Sequence, residues 1–286
     1  MSNDKTTKGF SPALPAIVDQ VEIITGFVAL IDVLGFRELV SRDNDLSQVR
    51  QYVETVTSVL DNDKYSQLQF VLFSDNVVIN TRDEKRDSFL TLIRACSDIF
   101  FNLARRQVAV RGAVAHGSFM RSPFMKHGVT VAGRPIVEAD HYQHSQNWVG
   151  IMLAPSVVRR DNENLQKECE TIPDQDPSET ANEWLERISL PLNLRKWAKI
   201  PFQAENSASK NYFSGFAVLP IRPEVSSCAD VVLSLDNALK HLETMKAAAP
   251  NPASQSKYSE TAEFLQTAKA AWELLAGSAV AEDKSR

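Results

Sequence analysis

Apolar and polar positions along this chain fall into runs whose period changes. Residues 26–32 (Gly-Phe-Val-Ala-Leu-Ile-Asp) form a short apolar run closed by a single charge, which predicts a buried strand with Asp32 at its exit. Past Gly35 the period shifts. Val49, Val53, Val56 and Leu60 recur at three and four residues, so a helix is expected, opened by Asp45 and Gln48 as a capping box. Two further apolar runs, 68–73 and 77–79, flank Ser74-Asp75-Asn76, the composition of a β-hairpin with a polar tip. A second helix is expected over 87–106, its apolar face marked by Phe89, Leu92, Cys96, Ile99 and Leu103. Strands follow over 108–119, 129–131 and 149–153, with a helix over 135–143 between the last two.

The order β, α, ββ, α, β, β, α, β predicts an α+β arrangement in which the hairpin tip brings Asp75 near the exit of the first strand. Beyond Ser156 the chain becomes polar, with helices expected over 162–172 and 180–188 and strands over 200–203 and 216–221. Two closing helices are separated by Pro250-Asn251-Pro252, which cannot continue a helix. Trp184, Trp197 and Trp272, with the Leu239/Leu242 and Phe264/Leu265 stripes, read as core and interface residues.

Composition narrows the function classes. With 43% hydrophobic and 23% charged residues the chain is of the ordinary globular type, which excludes fibrous and wholly disordered readings. Its 31 Lys+Arg against 36 Asp+Glu leave a net charge of −5, so no positive excess exists to coat a nucleic acid or an anionic membrane. A small anionic ligand in a local pocket stays open. No run reaches the roughly 18 to 20 apolar residues of a membrane helix, and no apolar signal region follows the first residues, so neither a span nor a secretory signal is expected. The cysteines Cys96, Cys169 and Cys228 form no close pair, which fits a reducing compartment and a cytoplasmic location.

The candidate chemistry rests on two aspartates, Asp32 in Ala-Leu-Ile-Asp-Val-Leu-Gly-Phe and Asp75 in Val-Leu-Phe-Ser-Asp-Asn-Val-Val-Ile. A carboxylate among apolar neighbours is costly to desolvate unless it meets a cation or donors, so two that converge suggest a divalent metal site. The alternative is local: Asp32 caps the next helix and Asp75 makes the turn. His116 reads as structural, because no metal ligand lies near it in sequence.

These motifs resemble those of the class III nucleotide cyclases. The match runs through Asp32-Val33-Leu34-Gly35-Phe36, Ser74-Asp75, Arg111-Gly112-Ala113-Val114-Ala115-His116-Gly117 and Val131-Ala132-Gly133-Arg134-Pro135-Ile136-Val137-Glu138-Ala139, covering about residues 25–155. The resemblance implies a ferredoxin-like core with a mainly antiparallel sheet and flanking helices, followed by a helical C-terminal extension. The polar first residues with Pro12 and Pro15 read as a flexible leader (1–20), followed by a cyclase catalytic domain (21–221) with an insertion around 160–198 and the extension (222–286); the resemblance itself leaves roughly the last 130 residues unaccounted for. By the same resemblance Asp32, Asp75 and the Val33 carbonyl hold two Mn²⁺ or Mg²⁺ ions, and Leu34, Gly35, Phe36 and Arg111 bind the triphosphate. It further implies a homodimer with shared sites.

The chain departs from the purine cyclases. Where they carry a charged base reader stands Val71, and their second reader corresponds to about Thr130. Their transition-state Asn and Arg have no counterpart on the helix after strand five. Anchoring on Gly133 places Val137 and His141 there, and anchoring one residue later places Glu138 and Tyr142; Arg37 and Arg134 are the candidate substitutes. The pattern is similar to a divergent branch, the pyrimidine nucleotide cyclases of bacterial anti-phage signalling. That resemblance implies UTP as preferred substrate, with CTP the rival, and a separate effector that senses the cyclic product. A non-catalytic nucleotide-binding dimer module and a purine cyclase are the alternatives.

Overall fold

The apolar run ending in Asp32 is the inner part of a longer strand, β1 (Glu22–Val33), whose first residues, Glu22 and Ile23, are exposed and so break the apolar signal. The structure is a computed structural model and describes residues 22–42, 45–125, 128–169, 183, 192–202 and 211–283. After β1 come two helices, α1 (Phe36–Arg42) and α2 (Ser47–Leu60). The capping box expected at the start of α2 is corrected: Leu46 stands at the N-cap in a left-handed conformation, and Asp45 accepts from the Ser47 N–H instead. The buried face of α2 carries Tyr52, Thr55, Val56 and Leu60. That stripe is rotated from the expected one, because Tyr52 rather than Val49 points inward.

Strands β2 (Gln69–Phe73) and β3 (Asn76–Asn80) form the expected hairpin, closed by Ser74-Asp75. Ser74 takes φ +57°, the left-handed geometry that a two-residue hairpin turn demands. Helix α3 (Arg86–Arg105) follows, and all five residues of its expected apolar face are buried. Next come β4 (Val110–Met125), β5 (Gly128–Gly133), α4 (Arg134–Ser145) and β6 (Gly150–Leu153). Helix α5 (Pro155–Cys169) bends at Asp161, and strand β7 (Leu194–Phe202) opens at Leu194 rather than near Ile200. Strand β8 (Asn211–Val218) leads to α6 (Cys228–Ala248) and α7 (Pro252–Asp283), parted at the expected proline break. The expected leader, the helix over 180–188 and Trp184 lie outside the described residues.

The strands make one eight-stranded sheet in the order β2-β3-β1-β4-β6-β8-β7, with β5 paired to β4. Its first four strands and the helices between them follow the βαββαβ order of a ferredoxin-like core. All these pairings are antiparallel except β4 with β6. The expected α+β class, a mainly antiparallel sheet with flanking helices, is what the structure shows. Side chains of β1 alternate between faces. Phe27 meets Phe89 of α3 on one face, ring centroids 4.8 Å apart, while Ile24 and Val28 on the other pack with Phe119 and Ile136 of α4. Both faces are therefore covered, and the strand ends are where chemistry can be exposed.

The C-terminal helices join the same core. Ser97 of α3 donates to the Leu219 carbonyl and accepts from the Ile221 N–H, and Trp148 packs against both Trp197 and Phe264 of α7 at ring distances of 5.0 and 5.5 Å. No helix among the described residues is long and apolar enough to cross a membrane.

Candidate active site

Asp32 lies second from the end of β1, on the face opposite α3, with Asn76 of β3 on one side and Arg111 of β4 on the other. Partners across an antiparallel pair share a face. Arg111 accordingly meets Asp32, its Nε donating to Oδ2 at 2.9 Å. The tight approach of the strands depends on Gly112: a Cβ there would lie 2.7 Å from the Leu30 carbonyl oxygen. Asp75, at the hairpin tip, is fixed by its backbone, since its carbonyl accepts the Val33 N–H at 3.1 Å and the Tyr52 hydroxyl at 3.2 Å. Its side chain accepts from the Asn76 amide at 3.0 Å.

Between these strand ends opens a cleft of about 270 Å³, lined by Asp32, Asp75 and Arg111 together with Val33, Leu34, Gly35, Phe36, Arg37 and Glu38. Gly35 takes φ +76° to swing the chain from β1 into α1, a conformation that disfavours any side chain. Asp32 is 7% exposed. Burial pushes its carboxyl above the ordinary range, outweighing the pull of Arg111, and the neighbouring Asp75 charge pushes the same way. Two carboxylates that repel in one cleft, beside the Val33 backbone, make an oxygen-only donor set that suits a hard divalent cation. Among the described residues no group of three or more His, Cys, Asp and Glu gathers to hold a metal, so any ion here would draw on these two carboxylates and the backbone.

The structure thus brings together Asp32, Val33, Leu34, Gly35, Phe36, Arg37, Asp75 and Arg111. One assignment is corrected: the Leu34 N–H donates to the Ala109 carbonyl at 2.8 Å, so it does not face a phosphate. Val71 sits half-buried on β2 opposite Val78, outside the cleft lining. Thr130 pairs with Ser122 in the β4–β5 ladder. The candidates on α4 lie away from this cleft. Arg134 and His141 are exposed, and the Glu138 carboxylate accepts the Ser156 N–H at 3.0 Å, capping α5. His116 is structural as expected, wedged against Phe27 and hydrogen-bonded to Glu84.

Tyr52 was missed by sequence reasoning, although its place one turn before Val56 and two before Leu60 on the buried stripe was a signal for an inward-pointing phenol.

No protein-family model and no curated protein matches the chain. Among solved structures the chain is similar to the catalytic core of a rhodopsin-guanylyl cyclase with converted specificity in complex with ATPalphaS, at TM-score 0.46 and 9% identity over 69% of this chain and 97% of that one. It is similar also to the guanylate cyclase domain of RhGC from Catenaria anguillulae in complex with GTP, at TM-score 0.46 and 8% identity over 69% and 97%. A non-canonical dimeric guanylyl cyclase domain of the RhoGC fusion protein from the aquatic fungus Blastocladiella emersonii is a third, at TM-score 0.45 and 11% identity over 70% and 97%.

Proposed function

We propose that this protein is a cytoplasmic nucleotide cyclase of the class III type that converts UTP to 3′,5′-cyclic UMP and pyrophosphate, an antiviral second messenger read by a separate effector. The observation that carries the reading is the convergence of Asp32, Asp75 and Arg111 in one cleft at the ends of three adjacent strands. In the reaction the ribose O3′–Pα bond forms, the bond from Pα to the pyrophosphate oxygen breaks so that pyrophosphate leaves, and the 3′ hydroxyl gives its proton to solvent water. Asp32, Asp75 and the Val33 carbonyl would hold two Mn²⁺ or Mg²⁺ ions, which when bound would supply positive charge that lowers the hydroxyl pKa and neutralises the phosphates. Arg111, released from Asp32, orients the β- and γ-phosphates, and the Gly35-Phe36 turn bounds them. Arg37 is the cation on this chain best placed to meet the transition-state charge.

Two features support the finer reading. Val71 is aliphatic and half-buried, so it offers no charged group to a purine edge, and a pocket that leaves a base edge unpaired loses affinity for it. Exposed Arg134 and His141 on α4 are free of this chain's cleft and available to a neighbour's, and Ile23, Phe73 and Val137 leave 79%, 77% and 70% of their surface exposed. A homodimer with shared sites covers such surface.

Incubating the purified protein with each of the four nucleoside triphosphates and Mn²⁺, and identifying products by mass, tests the reading. Cyclic UMP is expected, with cyclic CMP as the nearest rival. Dominant cyclic AMP or GMP overturns the pyrimidine assignment, and the absence of any cyclic product overturns the enzyme.

A further inference from the structure

A second cavity, of about 330 Å³, opens on the other side of the sheet from the cleft. Phe27 of β1, Phe89 of α3 and Val157 of α5 form its apolar floor, and Glu84, Arg160 and Asn164 stand on its rim. Phe27 and Asp32 are an odd number of positions apart on β1, so they face opposite sides of the sheet, about 17 Å apart along the strand. The cavity lies at the bend of α5, where Asp161 leaves helical geometry at φ −136° and ψ 32°.

Arg160 gives this cavity its chemistry. Its Cζ lies 5.2 Å from the centre of the Phe27 ring, and its Nη2 donates to the Glu84 carbonyl at 2.8 Å and sits 3.5 Å from the Glu84 carboxylate. Those contacts hold the guanidinium by one face and one nitrogen. Its Nε and Nη1 have no hydrogen-bond partner among the described residues, although the side chain keeps only 33% of its surface exposed. The Glu84 carboxylate is shared, because His116 Nε2 lies 3.2 Å from the same oxygen. Lys85 and Arg86 add positive charge beside it, Lys85 pairing with Asp83 at 3.4 Å in a contact that water screens.

A planar guanidinium fixed in this way presents its unused edge to an oxyanion in fork geometry. The apolar floor beside it favours a ring or hydrocarbon body on the same ligand, and the volume falls at the lower end of the range of small-molecule sites, roughly 300–1,000 Å³. We propose that this cavity is a second ligand site, for a small organic anion whose carboxylate or phosphate rests on Arg160 and whose ring rests against Phe27, Phe89 and Val157. The inference is independent of the cyclase reading, since no residue that lines this cavity lines the cleft.

Calorimetric titration of the full chain in EDTA with uridine monophosphate and with benzoate tests the site, one probe for each source of the anion. Inorganic phosphate and acetate carry the charge without the ring. At least one ringed probe is expected to bind about tenfold or more tighter than its bare ion, and which one does so distinguishes a phosphate ester from a carboxylate. Arg160→Gln is expected to weaken that binding about tenfold, the size of one lost charge-assisted hydrogen bond. Arg160→Lys should recover only part of it, because an ammonium has no fork. Since Arg160 also holds Glu84, a second variant leaves that bond in place: Asn164→Trp fills the mouth of the cavity and should abolish binding. Arg159→Gln, which removes an equal charge from an exposed position outside the lining, should leave binding unchanged. The proposal is overturned if neither ringed probe binds or if the bare ions bind as tightly. Wild-type affinity in Arg160→Gln or in Asn164→Trp, or an equal loss in Arg159→Gln, overturns it too.

Discussion

The hydroxyl of Tyr52 on α2 donates a hydrogen bond to the backbone carbonyl of Asp75 at the hairpin tip, 3.2 Å away. Burial, followed by the charges of Asp75 and Asp32, holds the phenol far above its ordinary pKa, so it stays a neutral donor at every working pH. Tyr52→Phe keeps the ring in the core and removes only this tether. The expected cost is about 1 kcal/mol of stability. Turnover should fall several-fold, with more Mn²⁺ needed for half-maximal rate. Unchanged Mn²⁺ dependence would show that Tyr52 does not place the aspartate.

Asp32→Asn and Asp75→Asn each remove one anionic oxygen donor and should abolish turnover. The fold should survive, because the neutral side chain at position 32 avoids the desolvation cost that raises the native carboxyl, although it weakens the bond to Arg111. Thermal denaturation with and without Mn²⁺ checks both points. The wild-type protein should gain a metal-dependent rise in Tm that neither variant shows.

His116 gives a pH dependence with a defined sign. Its pKa lies below the ordinary histidine value of 6.5, first through burial and second through Arg160, against the pull of Glu84. A histidine whose folded pKa is lowered binds fewer protons in the native state than in the unfolded one. Its contribution to stability is therefore complete above about pH 6.5 and is lost as pH falls through the lower folded value. Between about pH 7.5 and 5.5, His116→Gln should lose less Tm than the wild type. Parallel losses would remove His116 as the titrating group.

Complementation tests whether sites are shared. Mixing Asp32→Asn protein with a variant disabled on the Arg134 to Tyr142 segment should restore one intact site per mixed dimer, and with it part of the activity. A monomer by light scattering that turns over UTP at any dilution rules the arrangement out.

The elements that positioned the site were legible because their signals are local. The apolar run before Asp32 and the polar tip at Asp75 each mark a strand end, and βαββαβ order makes those ends neighbours. Other features were hidden for physical reasons. Helix α1 is only 7 residues long, too short to show a period. The start of β7 carries exposed Lys196 and Lys199 in an edge strand, where one face need not be apolar. The engagement of the Leu34 amide by Ala109 and the clamp of Thr261 on Val149, whose carbonyl accepts from the Thr261 hydroxyl and whose N–H donates to it, depend on contacts across long sequence distances, which no single-sequence periodicity encodes.

The clamp of Thr261 on Val149 joins residues 112 positions apart. Closing so long a loop costs entropy that is recovered only when both ends are present, so this pairing forms late. During synthesis the ribosome releases β1, the hairpin and β4 well before it releases α7. A nascent chain paused in that interval holds both aspartates but not the helix that fastens the strand beside Arg111. The order of translation thereby separates the making of the two carboxylates from the fastening of the strand beside Arg111.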